Sequence, residues 1–470
     1  MGDEIPRRHF NAEDFSVFRF RLDDETRLLA EQFSGNRFSE RGDIAGFELE
    51  AWLVDGNGDP LPENDRFLSH LNNPLVVPEL ANYNVELNGS PTALSGRAFS
   101  RLHDELSATW QACQSAADDL GCQLVTIGIL PTIKDAMLNS AHMSRMVRYQ
   151  ALNDRVMALR DGKPLEVRIE GEDDLAMQHS DVMLEAATTS FQIHLQCKPD
   201  NAVRDFNAAM AVSAPMVAAC ANSPSLFGHR LWAETRIPLF EQAVDIGAHY
   251  PQRVDFGAGF AEDSLFEIFA ANQQQHPILI PAVADAAPGK FAHVRFHNGT
   301  IWRWNRPLIG FDHDGQVHLR IEHRSVAAGP TIRDCVANAA LFFGLVRGLG
   351  LEDEAIETQL SFETVRANFY AAARHGIDTE LVWRNGPLSA QALLLDELLP
   401  LARRGLAHYG IPEAEIDEHL GLVEARVESG QNGAEWQRRW VRAHGMDDNQ
   451  LVMAYLERQN QGEPVHTWTT

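Results

Sequence analysis

Acids, amides and arginines alternate with apolar residues in four short runs of this 470-residue chain. Period-two spacing puts the polar members of such a run on one face of a β-strand and the apolar members on the other. In Gly46-Phe47-Glu48-Leu49-Glu50-Ala51-Trp52, Phe47 and Leu49 face one way and Glu48 and Glu50 the other. At ~3.3 Å per residue the two carboxylates stand about 6–7 Å apart. That separation suits one magnesium ion between them or two ions side by side. A half-solvated strand with two exposed glutamates would carry the same pattern. Asn84-Val85-Glu86-Leu87-Asn88 repeats it, with Glu86 opposite to Val85 and Leu87.

Two further runs carry different groups. In Thr188–Cys197, Phe191, Ile193, Leu195 and Cys197 form an apolar face, and Gln192, His194 and Gln196 an uncharged polar one. A row of uncharged hydrogen-bonding groups fits a partly enclosed surface that meets a ligand; a lone histidine also serves as a satisfied structural group. In Val317–Arg324, Leu319 and Ile321 point inward while Arg320, Glu322 and Arg324 line the other face. Guanidiniums clamp phosphate oxygens bidentately, and a carboxylate among them holds a cation. A cross-strand ladder of salt bridges would read alike. Ile301–Pro307 adds Trp302, Arg303, Trp304 and Arg306. A sheet whose polar face gathered Glu48, Glu50, Glu86, His194, Arg320, Glu322 and Arg324 would hold metal–nucleotide phosphates, the acids binding magnesium and the arginines neutralising phosphate oxygens.

The elements that must position these groups follow from periodicity and turn chemistry. Residues up to about 40 read as a helical lead-in. Strands are expected at 46–54, 82–88, 188–197 and 316–324, and a buried one at 123–130. Two more, at 291–297 and 300–305, flank Asn298-Gly299, a hairpin signal. Ala98–Leu120 reads as a helix capped by Gly121, and a second helix runs from an Asp200 cap to about Ala221, broken by Asn222-Ser223-Pro224. From Thr331 the apolar spacing becomes helical, over 331–349, 352–374, 388–409, 413–429 and 448–459. Strands and helices mix before residue 350 without regular βαβ alternation. The expected class is α+β with an antiparallel sheet. The expected organisation is a catalytic domain over 1–350 with a helical C-terminal region, 351–470, packed on it.

Composition removes other classes. Lys plus Arg is 40 and Asp plus Glu is 66, a formal net charge of −26. That field repels nucleic acid and anionic lipid. Five cysteines, none spaced C-x-x-C, argue against a disulfide framework or a cysteine-rich zinc site and fit reduced thiols in the cytoplasm. The first residues lack the apolar core of a signal peptide. The longest apolar-plus-glycine stretch, near Ala339–Val346, is far short of the ~20 residues a spanning helix needs. Phosphate-loop, dinucleotide-binding, G-x-S-x-G and H-E-x-x-H motifs are all missing.

In its motifs the chain resembles the glutamate–cysteine ligase family of the bacterial carboxylate–amine ligase and plant type. The matching pieces, in order, are GFELEAWLVD at 46–55, VELNGSP at 85–91, TTSFQIHLQ at 188–196, NSPSLFG followed by LWAETR at 222–236, HNGTIWRWNRP at 297–307, HLRIEHR at 318–324 and NFYAAARHGID at 368–378. The resemblance implies a glutamine-synthetase-like funnel of antiparallel strands around magnesium ions and ATP, with helices outside. It implies Glu48, Glu50, Glu86 and Glu322 as metal ligands. His194, Arg320 and Arg324 would lie near metal or phosphates, with Gln192 and Arg306 in the nucleotide site. Arg236 and Arg374 would meet the substrate carboxylate or phosphates. The chain departs at Gly128-Ile129-Leu130-Pro131-Thr132, where many bacterial members have Gly-Thr-His, and at Ser190-Phe191, where many have Cys-Gly. The implied reaction joins a carboxylate to an amine through an acyl phosphate, with amino acids and ATP as small-molecule partners. Glutamate–cysteine ligation is the leading reading. The same fold with another substrate, a guanidino kinase-like enzyme, or a non-catalytic ATP-binding regulator are the alternatives. The helical tail could dimerise the protein or cover the sheet.

Overall fold

The computed structural model describes residues 4–470. An eight-stranded antiparallel sheet forms the centre. Its strands are β1 (Ile44–Val54), β2 (Val76–Pro78), β3 (Asn84–Asn88), β4 (Thr92–Ala93), β5 (Gln123–Val125), β8 (Phe191–Cys197), β11 (Asn305–Phe311) and β12 (Val317–His323). The intervening labels belong to small hairpins: β6 (Leu165–Glu170) with β7 (Asp174–His179), and β9 (Ser225–Leu226) with β10 (His229–Arg230). The main order is β11-β12-β8-β1-β3-β2, with β4 and β5 also pairing β1. Phe47, Leu49, Phe191, Ile193, Leu319 and Ile321 are buried on one face. Against that face pack the helices Ala98–Leu120, Ala202–Cys220 and Ile332–Gly350. The polar residues of the same strands are thereby left to share the opposite face.

The helix Ala202–Cys220 is alanine-rich and buried on nearly every side, so its neighbours approach closely. A tighter approach joins Ile332–Gly350 to Leu399–His408. A Cβ on Gly405 would stand 2.0 Å from the carbonyl oxygen of Gly344, and one on Gly348 would stand 2.6 Å from that of Leu401. The first of these helices also reaches the sheet directly: Phe342 stacks on His323 of β12 with ring centroids 4.5 Å apart. All five cysteines are buried and unbridged. Among the described residues no helix is long and apolar enough to cross a membrane.

Several expected elements differ. Residues 292–299 form a helix, not a strand. Its first N–H groups, on His293 and Val294, donate to Glu25 Oε2 at 2.8 and 3.0 Å, a tertiary cap supplied by the N-terminal helix. Asn298-Gly299 therefore ends a helix, and residues 300–304 run irregularly before β11. The run 123–130 is a strand only to Val125, because β1 offers β5 partners only from Trp52 to Val54. The run 352–374 is broken before Ser361, whose side chain caps a new helix, Phe362–His375. The helical tail contains one hairpin, β13 (Glu380–Trp383) with β14 (Gly386–Ser389), and its next helix passes through a π-helical turn at Leu393–Leu398. Asp200 lies in a 3₁₀ turn, and Asn201 is the helix N-cap without a side-chain bond. The helices Val147–Leu159 and Gly433–His444 and the hairpin β6–β7 were not anticipated.

Candidate active site

Register assembles the polar face. Glu48 of β1 pairs with Gln192 of β8 on one side and Asn88 of β3 on the other, and Glu50 pairs with Glu86. Across the next ladder Glu322 of β12 pairs with His194 and Arg320 with Gln196. Arg306 of β11 pairs with Glu322. Directly paired residues project from the same face of a sheet. Residues nearly three hundred positions apart thus meet on one wall. Of the anticipated residues, Glu48, Glu50, Glu86, Gln192, His194, Arg306, Glu322 and Arg324 converge there. Arg320 lies one pleat farther along β12, with its Nε buried and without a hydrogen bond. Arg236 is buried behind the strand end, donating to the backbone oxygens of Arg324 (3.2 Å) and Ser325 (2.6 Å) and to Glu234 (3.2 Å). Arg374 is exposed, its guanidinium 5.8 Å from the Trp232 ring centre.

One half of the wall joins Glu48, His194 and Glu322. A ligand atom from each lies within 4.8 Å of the others. His194 Nε2 is 3.4 Å from Glu48 Oε1 and 4.0 Å from Glu322 Oε1, and neither ring nitrogen makes a hydrogen bond. Arg306 places Nε and Nη2 at 2.8 and 2.7 Å from Glu322 Oε2, and Arg324 adds Nη1 at 3.2 Å. Oε2 is fully engaged, and Oε1 is turned toward His194. Burial pushes both carboxyls up, but neighbouring charge wins. Arg306, Arg324 and His194 hold Glu322 well below the usual carboxylate range, and His194 holds Glu48 at about 2. A buried imidazole without hydrogen bonds between two ionised carboxylates fits a divalent cation.

The other half contains acids that the alternation did not reveal. Glu50 accepts from Ser190 N (2.6 Å), Ser190 Oγ (3.0 Å) and Gln192 Nε2 (2.9 Å). Gln192 in turn accepts from Arg324. Around Glu50 stand Glu79, just past β2, Glu86, and Glu185 in a 3₁₀ turn. Glu79 and Glu86 adjoin each other; Glu79 Oε2 accepts from Leu80 N at 3.2 Å, and Glu79 Oε1 is buried without a hydrogen bond. Burial, then mutual repulsion, pushes Glu50 and Glu79 up to about 7 and Glu185 up to about 8. Glu86 rises well above its usual range for the same reasons. A carboxylate-only nest with an orphaned oxygen fits a hard divalent cation. Glu185 did leave one signal, as the only charge in the apolar run Val182–Ala187.

Fold and site together define an α+β protein, an antiparallel sheet with an acid- and guanidinium-lined polar face. A glutamate–cysteine ligase from Francisella tularensis, solved with AMP, superposes with a TM-score of 0.58 at 11% identity, covering 92% of this chain and 90% of that one. A bifunctional glutathione synthetase from Pasteurella multocida superposes at 0.50 with 12% identity, covering 92% of this chain and 55% of its own. No curated protein sequence matches. The chain belongs to glutamate–cysteine ligase family 2 (GCS2), whose sequence profile matches residues 44–461. The family indicates a ligase of the glutamate–cysteine ligase type.

Proposed function

We propose that the protein is an ATP- and magnesium-dependent carboxylate–amine ligase, with glutamate and cysteine as its substrates. The observation that carries this reading is the convergence of Glu48, His194 and Glu322 beside Arg306 and Arg324 on one sheet face. The AMP in the structure of the Francisella ligase of the same fold supports nucleotide binding. Glu48, His194 and Glu322 would hold one ion, and Glu50, Glu79 and Glu86 would hold a second. Magnesium held by these residues would supply positive charge to offset that of the transferred phosphoryl group.

The chain's own residues supply position and charge. Arg324 and Arg320 offer guanidiniums to phosphate oxygens, and Arg306 fixes Glu322. The donor carboxylate oxygen attacks the γ-phosphorus and releases ADP, forming an acyl phosphate. The amine nitrogen then attacks the acyl carbon, the C–O bond to phosphate breaks, and the amine loses a proton. Carboxylates are poor electrophiles, and phosphorylation supplies the leaving group. Positioning and electrostatic stabilisation account for most of the rate enhancement in such transfers.

The test is phosphate release from Mg-ATP with glutamate and cysteine, each omitted in turn. Release that requires both supports the reading. ATP binding without release across a broad panel of amines refutes it.

A further inference from the structure

Beyond the metal-lined wall, the helix Arg236–Ala243 carries Glu241 to the edge of the aromatic cluster that closes one end of the sheet. Trp304 Nε1 and the Tyr370 hydroxyl donate to Glu241 Oε1 at 2.9 and 2.8 Å. Among the described residues none donates to Oε2. The carboxylate is fixed through one oxygen and offered through the other. Across from it Asp255 accepts from Gly257 N at 2.9 Å, and Arg303 Nε stands 3.5 Å from Asp255 Oδ1. Arg303 is 9% exposed, and its Nε makes no hydrogen bond.

Glu241, Asp255 and Tyr370 are half-buried, whereas Trp304, Phe240 and Phe369 beneath them are fully buried. Phe240 and Phe369 each pack on Trp304 with ring centroids 5.9 Å apart, so the anchored carboxylate rests against apolar rings while Glu241, Asp255 and Tyr370 keep partial access to solvent. We propose that this recess binds the ammonium group of an α-amino-acid substrate, with Glu241 as its anchor and Arg303 available to the same molecule's carboxylate.

Three features support this. Two neutral donors orient Glu241 without balancing its charge; the nearby Arg366 is exposed and forms no ion pair with it. Burial, then Asp255, pushes the Glu241 carboxyl up to about 7 against the Trp304 and Tyr370 hydrogen bonds, the mark of a negative charge lacking a cation. The recess also adjoins the proposed reaction site. Trp304 O accepts from Arg324 N at 2.9 Å, and the Arg236 guanidinium lies 5.4 Å from the Trp304 ring centre. Opposite charges over an apolar floor match a zwitterion and reject a molecule lacking the ammonium group.

The inference rests on the ligase reading, and its test separates the two. Thermal stabilisation of the whole protein is measured with single L-amino acids, among them glutamate and cysteine, and with their N-acetyl derivatives. Mg-ATP binding is measured in parallel. The expected result is stabilisation by at least one free amino acid, lost on N-acetylation and in Glu241→Gln, with Mg-ATP binding unchanged. In steady-state assays Glu241→Gln should raise KM about 10–100-fold, the worth of a charge-assisted hydrogen bond, for one amino acid and not for ATP. The amino acid affected, carboxylate donor or amine acceptor, identifies the occupant. If Glu241→Gln does not fold by circular dichroism, Arg303→Gln, which removes the guanidinium offered to the substrate carboxylate, should give a rise of the same kind, for one amino acid and not for ATP. Stabilisation that ignores N-acetylation, or binding and KM unchanged in folded variants, overturns the subsite. Loss of wild-type Mg-ATP binding would instead sink the ligase reading and leave the amino-acid titrations to decide the recess.

Discussion

Glu48 and Glu50 are separated by one residue on β1, yet their surroundings are opposite. Beside Glu322 the chain provides Arg306 and Arg324, and both Glu322 and Glu48 are held below the usual carboxylate range despite burial. Around Glu50 it provides more acids, and Glu50, Glu79, Glu86 and Glu185 are all pushed toward the protonated form. The first half has fixed guanidiniums on one carboxylate before any ligand arrives. The second is incomplete and gains most from a mobile cation. A single strand can thus present one preorganised centre and one that assembles with its metal, because register decides which neighbours each glutamate meets.

The largest expected effect comes from removing the first half's internal cation. Arg306→Met should destabilise the fold by ~3–5 kcal/mol, because it leaves Glu322 buried with only Arg324 as a protein cation. Urea unfolding midpoints read this directly, and a change under 1 kcal/mol would mean the pair is not closed as described. Glu322→Gln keeps the volume and removes the charge. It should lower phosphate release by ~10²–10³ with the far-ultraviolet spectrum unchanged. Turnover close to wild type would remove Glu322 from the chemistry.

A pH series sharpens the contrast. The ordinary value of the nest carboxyls is 4.5, and folding raises Glu50 and Glu79 to about 7 and Glu185 to about 8. Between those limits the folded state binds more protons than the unfolded one, so metal-free stability must fall as pH rises from 5 toward 8. Glu48 shifts the other way, and its contribution is lost only as pH falls through about 2. Unfolding in chelator at pH 5.5 and pH 8 should show the decline, and magnesium should restore more stability at pH 8. An equal magnesium effect at both values would contradict the nest. The smallest effect is Glu79→Gln, which should stabilise the metal-free protein at pH 8 by about 1 kcal/mol while weakening magnesium binding.

The shared face was legible because strand alternation is a local property. Phe47/Glu48/Leu49/Glu50 and Leu319/Arg320/Ile321/Glu322 each declare their faces within a few residues. The helix Ala98–Leu120 was equally plain, since Gly121 takes the left-handed conformation (φ 72°) that ends it. What stayed hidden depends on distant partners. The cap on residues 292–299 is Glu25, some 268 positions away. Glu79 and Glu185 lie on irregular segments where no period marks a face. The resemblance implied Arg306 in the nucleotide site and Arg236 at the substrate carboxylate or phosphates; register directs Arg306 onto Glu322, and tertiary packing has the Arg236 guanidinium donating to backbone oxygens. Charge type was readable from composition; which charge meets which was not.

The glycine crossing of the tail ties its sequence to the sheet. Gly344, Gly348 and Gly405 act as a clearance gauge, setting the distance between two helices by having no side chains. With 2.0 Å available at Gly405, even a methyl group must wedge the pair apart. The wedge would travel through Phe342 to His323, whose neighbours on β12 are Glu322 and Arg324. An alteration just over eighty positions downstream of Arg324 would then detune the site without touching it. Tolerance to substitution in this segment should follow helical phase rather than distance from the wall.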